Sequence, residues 1–455
     1  MRPRSLSDVA RATEGSLEGD DVEVTSVSTD SRDVGPGTLF VALAGERTDG
    51  HRFVDDAFRA GAAAALVHEG DGPGPLVRVR STGDALLRLA GDERERTDAT
   101  VVAITGANGK TSTKDLALAV VATRFRSHAS PASFNNEVGL PLTLLGAPPD
   151  AEVVVAEMGA RRMGDVKLLC GVARPAVVVV TNMGVAHMEV FGSWASIVEA
   201  GAEPVEALDP EGVAILNADD AIVAGYAERC AGRVSTFGVG AGGRAPDVRA
   251  DDVHLDGEGR ASFRLSAGGE VAAVTLTVPG EHMVSNALAA AAVGVELGVP
   301  LAEVAGALAG APISPWRMES FTGAGGIRVL NDAYNANPES TAAALRTARW
   351  VAGPGRLVAV LGEMAELGAI SADEHDHVGE LAARVRVDRL VAVGEAARSI
   401  AHAAIREGMD PADVASVDTI EDAIADVLTT ARAGDLVLCK GSRVAGLERV
   451  AEALR

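Results

Sequence analysis

A lysine and a threonine standing just after a glycine-rich turn are the residues in this chain best suited to handling phosphate. They lie in residues 101–115, VVAITGANGKTSTKD, where Val101, Val102, Ala103 and Ile104 lead into Gly106, Ala107, Asn108 and Gly109, followed by Lys110, Thr111 and Ser112. Glycines at 106 and 109 permit a turn whose backbone N–H groups point into one concavity. The following helix, expected to open at Thr111, adds its positive end, and Lys110 brings a point charge to the outer phosphates. The Thr111 hydroxyl can then reach Mg2+. The spacing is T-G-x-x-G-K-T, shorter than the general G-x-x-x-x-G-K-[ST], whose first glycine would fall on Ile104. A glycine turn between strand and helix is also an ordinary structural device, and it is Lys110 with Thr111 that points to a nucleotide.

Two more polar residues sit where they could join this cradle. Glu157 follows the apolar run 153–156, and Thr181, Asn182 and His187 follow the run 177–180. In a parallel sheet, ligands gather at the carboxyl ends of the strands, so Glu157 and His187 are expected to converge on the metal position beside Thr111. Either alone would read as a loop residue.

The elements needed to hold these groups are legible in outline. From 98 to 312, β-branched runs at 101–105, 153–156, 177–180 and 213–216 alternate with helical segments, the pattern of a mostly parallel sheet buried on both faces. Between 238 and 279 the pattern changes to short alternating segments with glycine turns, expected as an antiparallel insertion on the sheet edge. An alanine-rich helix over 281–298 carries His282 and Asn286 four apart. Residues 1–97 read as a small α/β unit, in which 28–32, STDSR, is either a capped turn or a binding loop. Residues 313–455, with runs at 327–330, 357–361, 390–393 and 436–439, read as a second, smaller parallel unit of Rossmann type. The fold expected is therefore α/β in three domains, a central P-loop ATPase domain flanked by these two.

Composition narrows the function. A net charge of −23 argues against nucleic acid as partner, because phosphate backbones are bound by clustered Lys and Arg. No N-terminal apolar stretch follows the basic start and no run of about 18 apolar residues appears, which argues against a signal peptide or membrane span, so no membrane role is expected and the location expected is cytoplasmic. Cys170, Cys230 and Cys439 are unclustered and fit reduced thiols. Lysine is rare, with only Lys110, Lys114, Lys167 and Lys440 among 41 basic residues, so each marks a place where a compact ammonium is useful, although Lys114 and Lys167 also read as solvated helix residues.

Taken together, these stretches resemble the ATP-dependent Mur ligase family over essentially the whole chain. The resemblance is carried by 28–32, 49–53 (DGHRF), 105–115, 134–141 (FNNEVGLP), 157–159 (EMG), 186–193 (AHMEVFGS), 286–290 (NALAA), 332–338 (DAYNANP), 361–368 (LGEMAELG) and 440–443 (KGSR). The stretch Tyr334, Asn335, Ala336, Asn337, Pro338 is similar to the member of the family that adds a dipeptide.

The resemblance implies ATP and Mg2+ as cofactors and an acyl-phosphate route. Its substrates would be a UDP-N-acetylmuramoyl tripeptide and D-alanyl-D-alanine, handled by a monomer. It implies a first domain for the nucleotide sugar, a central one for ATP, and a third that closes over the site. Lys110, Glu157 and His187 would be catalytic, and Thr111, Glu157 and His187 would hold metal. Residues 106–112 with Asn286, Arg317 and Asp332 would bind ATP, at adenine, phosphates and ribose respectively for the last three. Ser31, Arg32, Asn135, Asn136, Asn335 and Asn337 would bind the other substrates. A different amine, a non-catalytic nucleotide-binding relative and a motion-coupled ATPase remain as alternatives.

Two departures stand out. Relatives carry a carbamylated lysine in the helix after the FGS stretch, and here that place falls on Gly201, with Glu199, Glu203 or ordered water as possible substitutes. Met283 follows His282 where an asparagine is common in the family.

Overall fold

A computed structural model describes residues 1–45, 48–185, 187–240 and 245–455. Ala186 of the 186–193 stretch, and 241–244 of the 238–279 segment, lie outside the described residues. Three large sheets follow one another along the chain, with five, nine and six strands.

The nine-stranded sheet holds the glycine turn at 106–109. Thr100–Thr105 lies between Val153–Glu157 and Val177–Val180, parallel to both, and Val213–Asn217 continues the sheet beyond Val177–Val180. Side chains alternate across each strand, so Val101, Ala103, Val154, Ala156, Val178 and Val180 enter one core. Val102, Ile104, Val153, Val155, Val177 and Val179 enter the other, against helices Lys110–Val121 and His282–Glu296. Burial on both faces is why these strands are unbroken apolar runs.

The first face is shared. Leu39, Val41, Leu66, Leu86 and Leu89 of the N-terminal unit belong to the same core as Val101 and Val178, so the five-stranded sheet and helix Thr82–Glu95 are welded onto the central sheet. Strands Val248–Leu255, Arg260–Ala267 and Glu270–Pro279 extend the far edge, antiparallel to each other as the alternating pattern implied, although the first of them joins Arg233–Gly238 in parallel.

Several elements differ from the sequence reading. The helix after the turn begins at Lys110, one residue earlier than expected, because Gly109 at φ 79° serves as its left-handed N-cap. The third sheet is not wholly parallel. Glu319–Thr322 pairs antiparallel with Arg328–Asn331 across a glycine-rich turn, a hairpin that the polar sequence of its first strand conceals. Lys114 is not solvated, being buried under the 130–133 loop, whereas Lys167 is exposed. Among the described residues, no helix is long and apolar enough to cross a membrane.

Candidate active site

The turn at 106–109 is held from behind by the end of the neighbouring strand. Thr181 Oγ1 donates to the carbonyls of Thr105, at 3.1 Å, and Asn108, at 2.7 Å. The N–H of Ala107 donates to the carbonyl of Asn182 at 2.9 Å, and that of Asn108 to Asn182 Oδ1 at 2.8 Å. Those two amides are therefore turned toward Asn182, and the first helical turn at 110–112 is what keeps N–H groups without intrahelical acceptors. The common concavity expected of the turn at 106–109 is accordingly moved to the helical end that follows it.

Two glycines are required by space as well as by backbone. A Cβ on Gly106, at φ 126°, would lie 2.2 Å from Thr181 Oγ1, and one on Gly109 would lie 2.2 Å from Asn286 Oδ1. Asn286 is buried directly beneath the turn, within 3.4 Å of Thr113 Oγ1 and Met283 Sδ. Gly109→Ala is expected to destabilise the protein by about 1–3 kcal/mol through left-handed strain and the clash, with ADP binding weakened at least tenfold. Thermal unfolding and ADP calorimetry measure the two effects.

Lys110 folds over this turn, its Nζ donating to the carbonyls of Gly106 at 2.7 Å and Ala107 at 3.1 Å. Desolvation pushes its pKa down, opposed by the charge of Glu157 and reinforced by Arg317.

Glu157 is fully buried and doubly bonded. Its Oε2 accepts from Thr111 Oγ1 at 2.7 Å, and its Oε1 from Asn135 Nδ2 at 2.8 Å. Thr111 Oγ1 also lies 3.0 Å from Ser133 Oγ, which accepts from Arg317 Nη2 at 3.0 Å. Arg317 comes from the third unit, with its guanidinium 4.2 Å from the centre of the Tyr334 ring. Its neighbours Trp316 and Met318 both adopt positive φ, a conformation that persists where surroundings over-determine it. The buried Arg317 Nε has no hydrogen-bond partner among the described residues.

His187 also stands at positive φ, 55°, and its Nδ1 is bonded to Glu366 of the third unit. Desolvation lowers its pKa, Glu366 opposes that, and Lys110 and Arg161 add to the lowering. Lys110 thus lies within electrostatic reach of both Glu157 and His187. A buried carboxylate and the Thr111 and Ser133 hydroxyls beside the glycine turn are oxygen donors of the kind Mg2+ prefers, its shell being completed by water and phosphate, while the His187 imidazole is tied to this group through its electrostatic interaction with Lys110.

Other expected residues are distributed around this cluster. Asn337 Nδ2 donates to Asn108 Oδ1 at 2.8 Å across the domain boundary, and Glu339 accepts from the N–H of Val185 at 3.0 Å. Asp332 pairs with the buried Lys440 at 2.5 Å and accepts from the N–H of Met318, while Asn335 offers its carbonyl to Lys440. Asn136 Oδ1 accepts the N–H of Gly139, the first residue of helix Gly139–Gly146, at 2.9 Å. Ser31 and Arg32 lie apart in the first unit, where Arg32 is exposed and grips Asp30, holding that carboxyl down at about 2.

Gly201 faces a filled space, since a Cβ there would lie 2.6 Å from Tyr226 Oη and 2.7 Å from Met183 Sδ. Of the suggested substitutes, Glu199 is paired with Arg229 on the surface, and Glu203 accepts the N–H groups of Gly164 and Lys167 at the start of helix Asp165–Ala173. Both carboxylates are committed to those partners.

Sequence reasoning missed Ser133, Glu366 and the role of Lys114. Lys114 Nζ donates to the carbonyls of Ser130 and Ala132, each at 2.9 Å, pinning the loop that presents Ser133 and Asn135. Its rarity as a lysine was the one available signal. Lys114→Met is expected to lower stability by about 1.5–3 kcal/mol, the range for hydrogen bonds to a charged group, and to lower turnover with it. Denaturant unfolding and steady-state rates check this.

With fold and cluster in place, the comparison with known proteins is direct. The chain belongs to the Mur ligase family: residues 104–294 match the Mur ligase middle domain, 316–443 the glutamate ligase domain and 23–83 the catalytic domain. It is 40% identical to the UDP-N-acetylmuramoyl-tripeptide--D-alanyl-D-alanine ligase of Mycobacterium tuberculosis, over 94% of this chain and 92% of that protein. Among solved structures it is similar to MurF from Acinetobacter baumannii, with a TM-score of 0.88 at 30% identity, covering 99% of this chain and 98% of the other. It is also similar to the MurF ligase from Thermotoga maritima in complex with ADP, with a TM-score of 0.81 at 28% identity, covering 95% and 97%.

Proposed function

We propose that this protein is an ATP-dependent, ADP-forming ligase that joins D-alanyl-D-alanine to a UDP-N-acetylmuramoyl tripeptide in peptidoglycan precursor synthesis, in the cytoplasm. The reading is carried by the hydrogen-bonded chain Glu157–Thr111–Ser133–Arg317, which ties the phosphate turn, a strand-end acid and a third-domain arginine into one cluster. Near full-length similarity to UDP-N-acetylmuramoyl-tripeptide--D-alanyl-D-alanine ligases supports the choice of amine. We assign 1–97 to the nucleotide sugar, with Ser31 and Arg32 as contacts, 98–312 to ATP, and 313–455 to the incoming amine, with Asn335 and Asn337 at that end.

In the first step a carboxylate oxygen of the tripeptide attacks the γ-phosphorus of ATP, the bond to ADP breaks, and an acyl phosphate forms. The free amine of the dipeptide then attacks the acyl carbon, phosphate leaves with the former carboxylate oxygen, and the amine sheds a proton. Nucleophile and phosphate are both anionic, so Lys110, Arg317 and the N–H groups at 110–112 serve to offset charge that grows along the path. Thr111, Glu157 and His187 would hold Mg2+, with Asn135 orienting Glu157, and the bound ion supplies further charge neutralisation at the phosphates. Asn286 acts at least in part through Gly109, and Asp332 with Lys440 frames the third-domain side. Contacts from Asn337 and Glu339 bring the third domain onto the turn, excluding the water that would hydrolyse an acyl phosphate.

The test is phosphate release and product mass with ATP, Mg2+, the UDP-linked tripeptide and a panel of amines. Turnover that requires D-alanyl-D-alanine is expected. Turnover with another amine, turnover without any, or nucleotide binding with no turnover would each replace the proposal with a different reading.

A further inference from the structure

The turn after strand Leu357–Gly362 of the third sheet reaches out of its own domain at Glu366 and Gly368. Glu366 stands at φ 62°, and its carboxylate bonds Nδ1 of His187 on the central domain. The same carboxylate lies 3.6 Å from Nη2 of Arg161, also on the central domain, and the Glu366 carbonyl accepts the N–H of Glu189 at 3.1 Å. The fit is close, since a Cβ on Gly368 would come within 3.0 Å of Glu189 Cα. Both partners of the His187–Glu366 contact are non-glycine residues in the left-handed region. Such backbones persist only where surroundings hold them, and they cluster at functional sites.

A carboxylate can only accept, so the contact fixes the proton of a neutral imidazole on Nδ1 and leaves the Nε2 lone pair as the atom available to a ligand. Metal-binding histidines are commonly oriented this way by an outer carboxylate, and losing that carboxylate typically lowers metal affinity or activity by about 10–100-fold. Here the carboxylate and the imidazole sit on different domains.

We propose that Glu366 is a positioning residue, which sets the tautomer and ring orientation of His187 only when the third domain is docked, so that closure and the assembly of the metal-side ligand set are one event. This rests on the reading that His187 serves the phosphate site. Arg161 Nη2, 3.6 Å from the same carboxylate, and the N–H of Glu189 on the Glu366 carbonyl hold the turn in that place.

The direct test is nitrogen-15 NMR of the imidazole in histidine-labelled protein saturated with a non-hydrolysable ATP analogue, with His187→Asn identifying the signal. Wild type is expected to show the Nδ1–H tautomer, and Glu366→Ala a shift toward Nε2–H, together with at least a tenfold higher Mg2+ requirement for turnover. Glu366→Gln, whose amide oxygen can still accept from Nδ1–H, is expected to keep the wild-type tautomer and to stay within about threefold of its Mg2+ requirement. An unchanged His187 tautomer in Glu366→Ala overturns the proposal. So does Arg161→Ala matching the loss in Glu366→Ala with the tautomer intact, because a simple domain clasp would behave that way. The spectrum needs no acceptor substrate, so a tautomer shift in a protein that fails to ligate D-alanyl-D-alanine would sink the substrate assignment and leave this one standing.

Discussion

Replacing Lys110 with alanine is expected to lower ligation by a factor of about 10²–10³ or more, the scale seen when one preorganised charge-stabilising donor is removed, while the protein stays folded. The Lys110 ammonium rests on the carbonyls of Gly106 and Ala107, between the charges of Glu157 and Arg317. Removing it relieves a desolvated cation and gives up two hydrogen bonds to backbone carbonyls, effects of opposite sign. The melting temperature should therefore move by no more than about 2–4 °C, the equivalent of ~1 kcal/mol in a domain of this size. Thermal unfolding beside a phosphate-release assay separates the two effects. Turnover near that of the parent would remove the phosphate turn from the chemistry.

Glu157→Gln is expected to be nearly as damaging, for a different reason. Thr111 and Asn135 both aim donors at this carboxylate, one at each oxygen. An amide oxygen can serve only one of them, so either Asn135 loses its acceptor or the Thr111 hydroxyl must rotate to accept from the new NH2 group, and the negative charge expected to bind Mg2+ is gone. We expect turnover to fall by about 10²–10³ at moderate Mg2+, corresponding to the several kcal/mol that a correctly held ion supplies, with partial recovery as Mg2+ is raised. A titration of rate against Mg2+ reads this directly. An unchanged Mg2+ dependence would place the ion elsewhere. The two variants are predicted to differ in this respect, since excess Mg2+ does not replace the Lys110 ammonium.

Much of the fold was readable because burial on two faces forces a distinctive composition. The runs 101–105, 153–156 and 177–180 have no polar alternation, which only a sheet covered on both sides accepts. The phosphate turn was legible for a similar reason, because Gly106 and Gly109 sit where a Cβ would strike Thr181 or Asn286. The strand-end acid Glu157 could be placed near the turn from topology alone. What sequence order could not supply was which atoms meet. The N–H groups of Ala107 and Asn108 are taken by Asn182, 74 residues away from Asn108, and nothing local marks that pairing. Lys114 looks solvated because its helix is of ordinary polarity, yet two loop carbonyls enclose its ammonium. Glu366 is separated from His187 by 179 residues and by a domain boundary. The strand Glu319–Thr322 escaped notice because an edge position lets one of its faces stay polar.

The central claim is that the cluster at Lys110, Glu157 and Arg317 activates a carboxyl group by phosphorylating it. The measurement that meets it most directly uses the UDP-linked tripeptide carrying oxygen-18 in both oxygens of its acceptor carboxyl group, with ATP, Mg2+ and D-alanyl-D-alanine. Mass analysis of the phosphate released should find one labelled oxygen for every amide formed, the other remaining in the product carbonyl. Unlabelled phosphate accompanying amide formation would contradict the account.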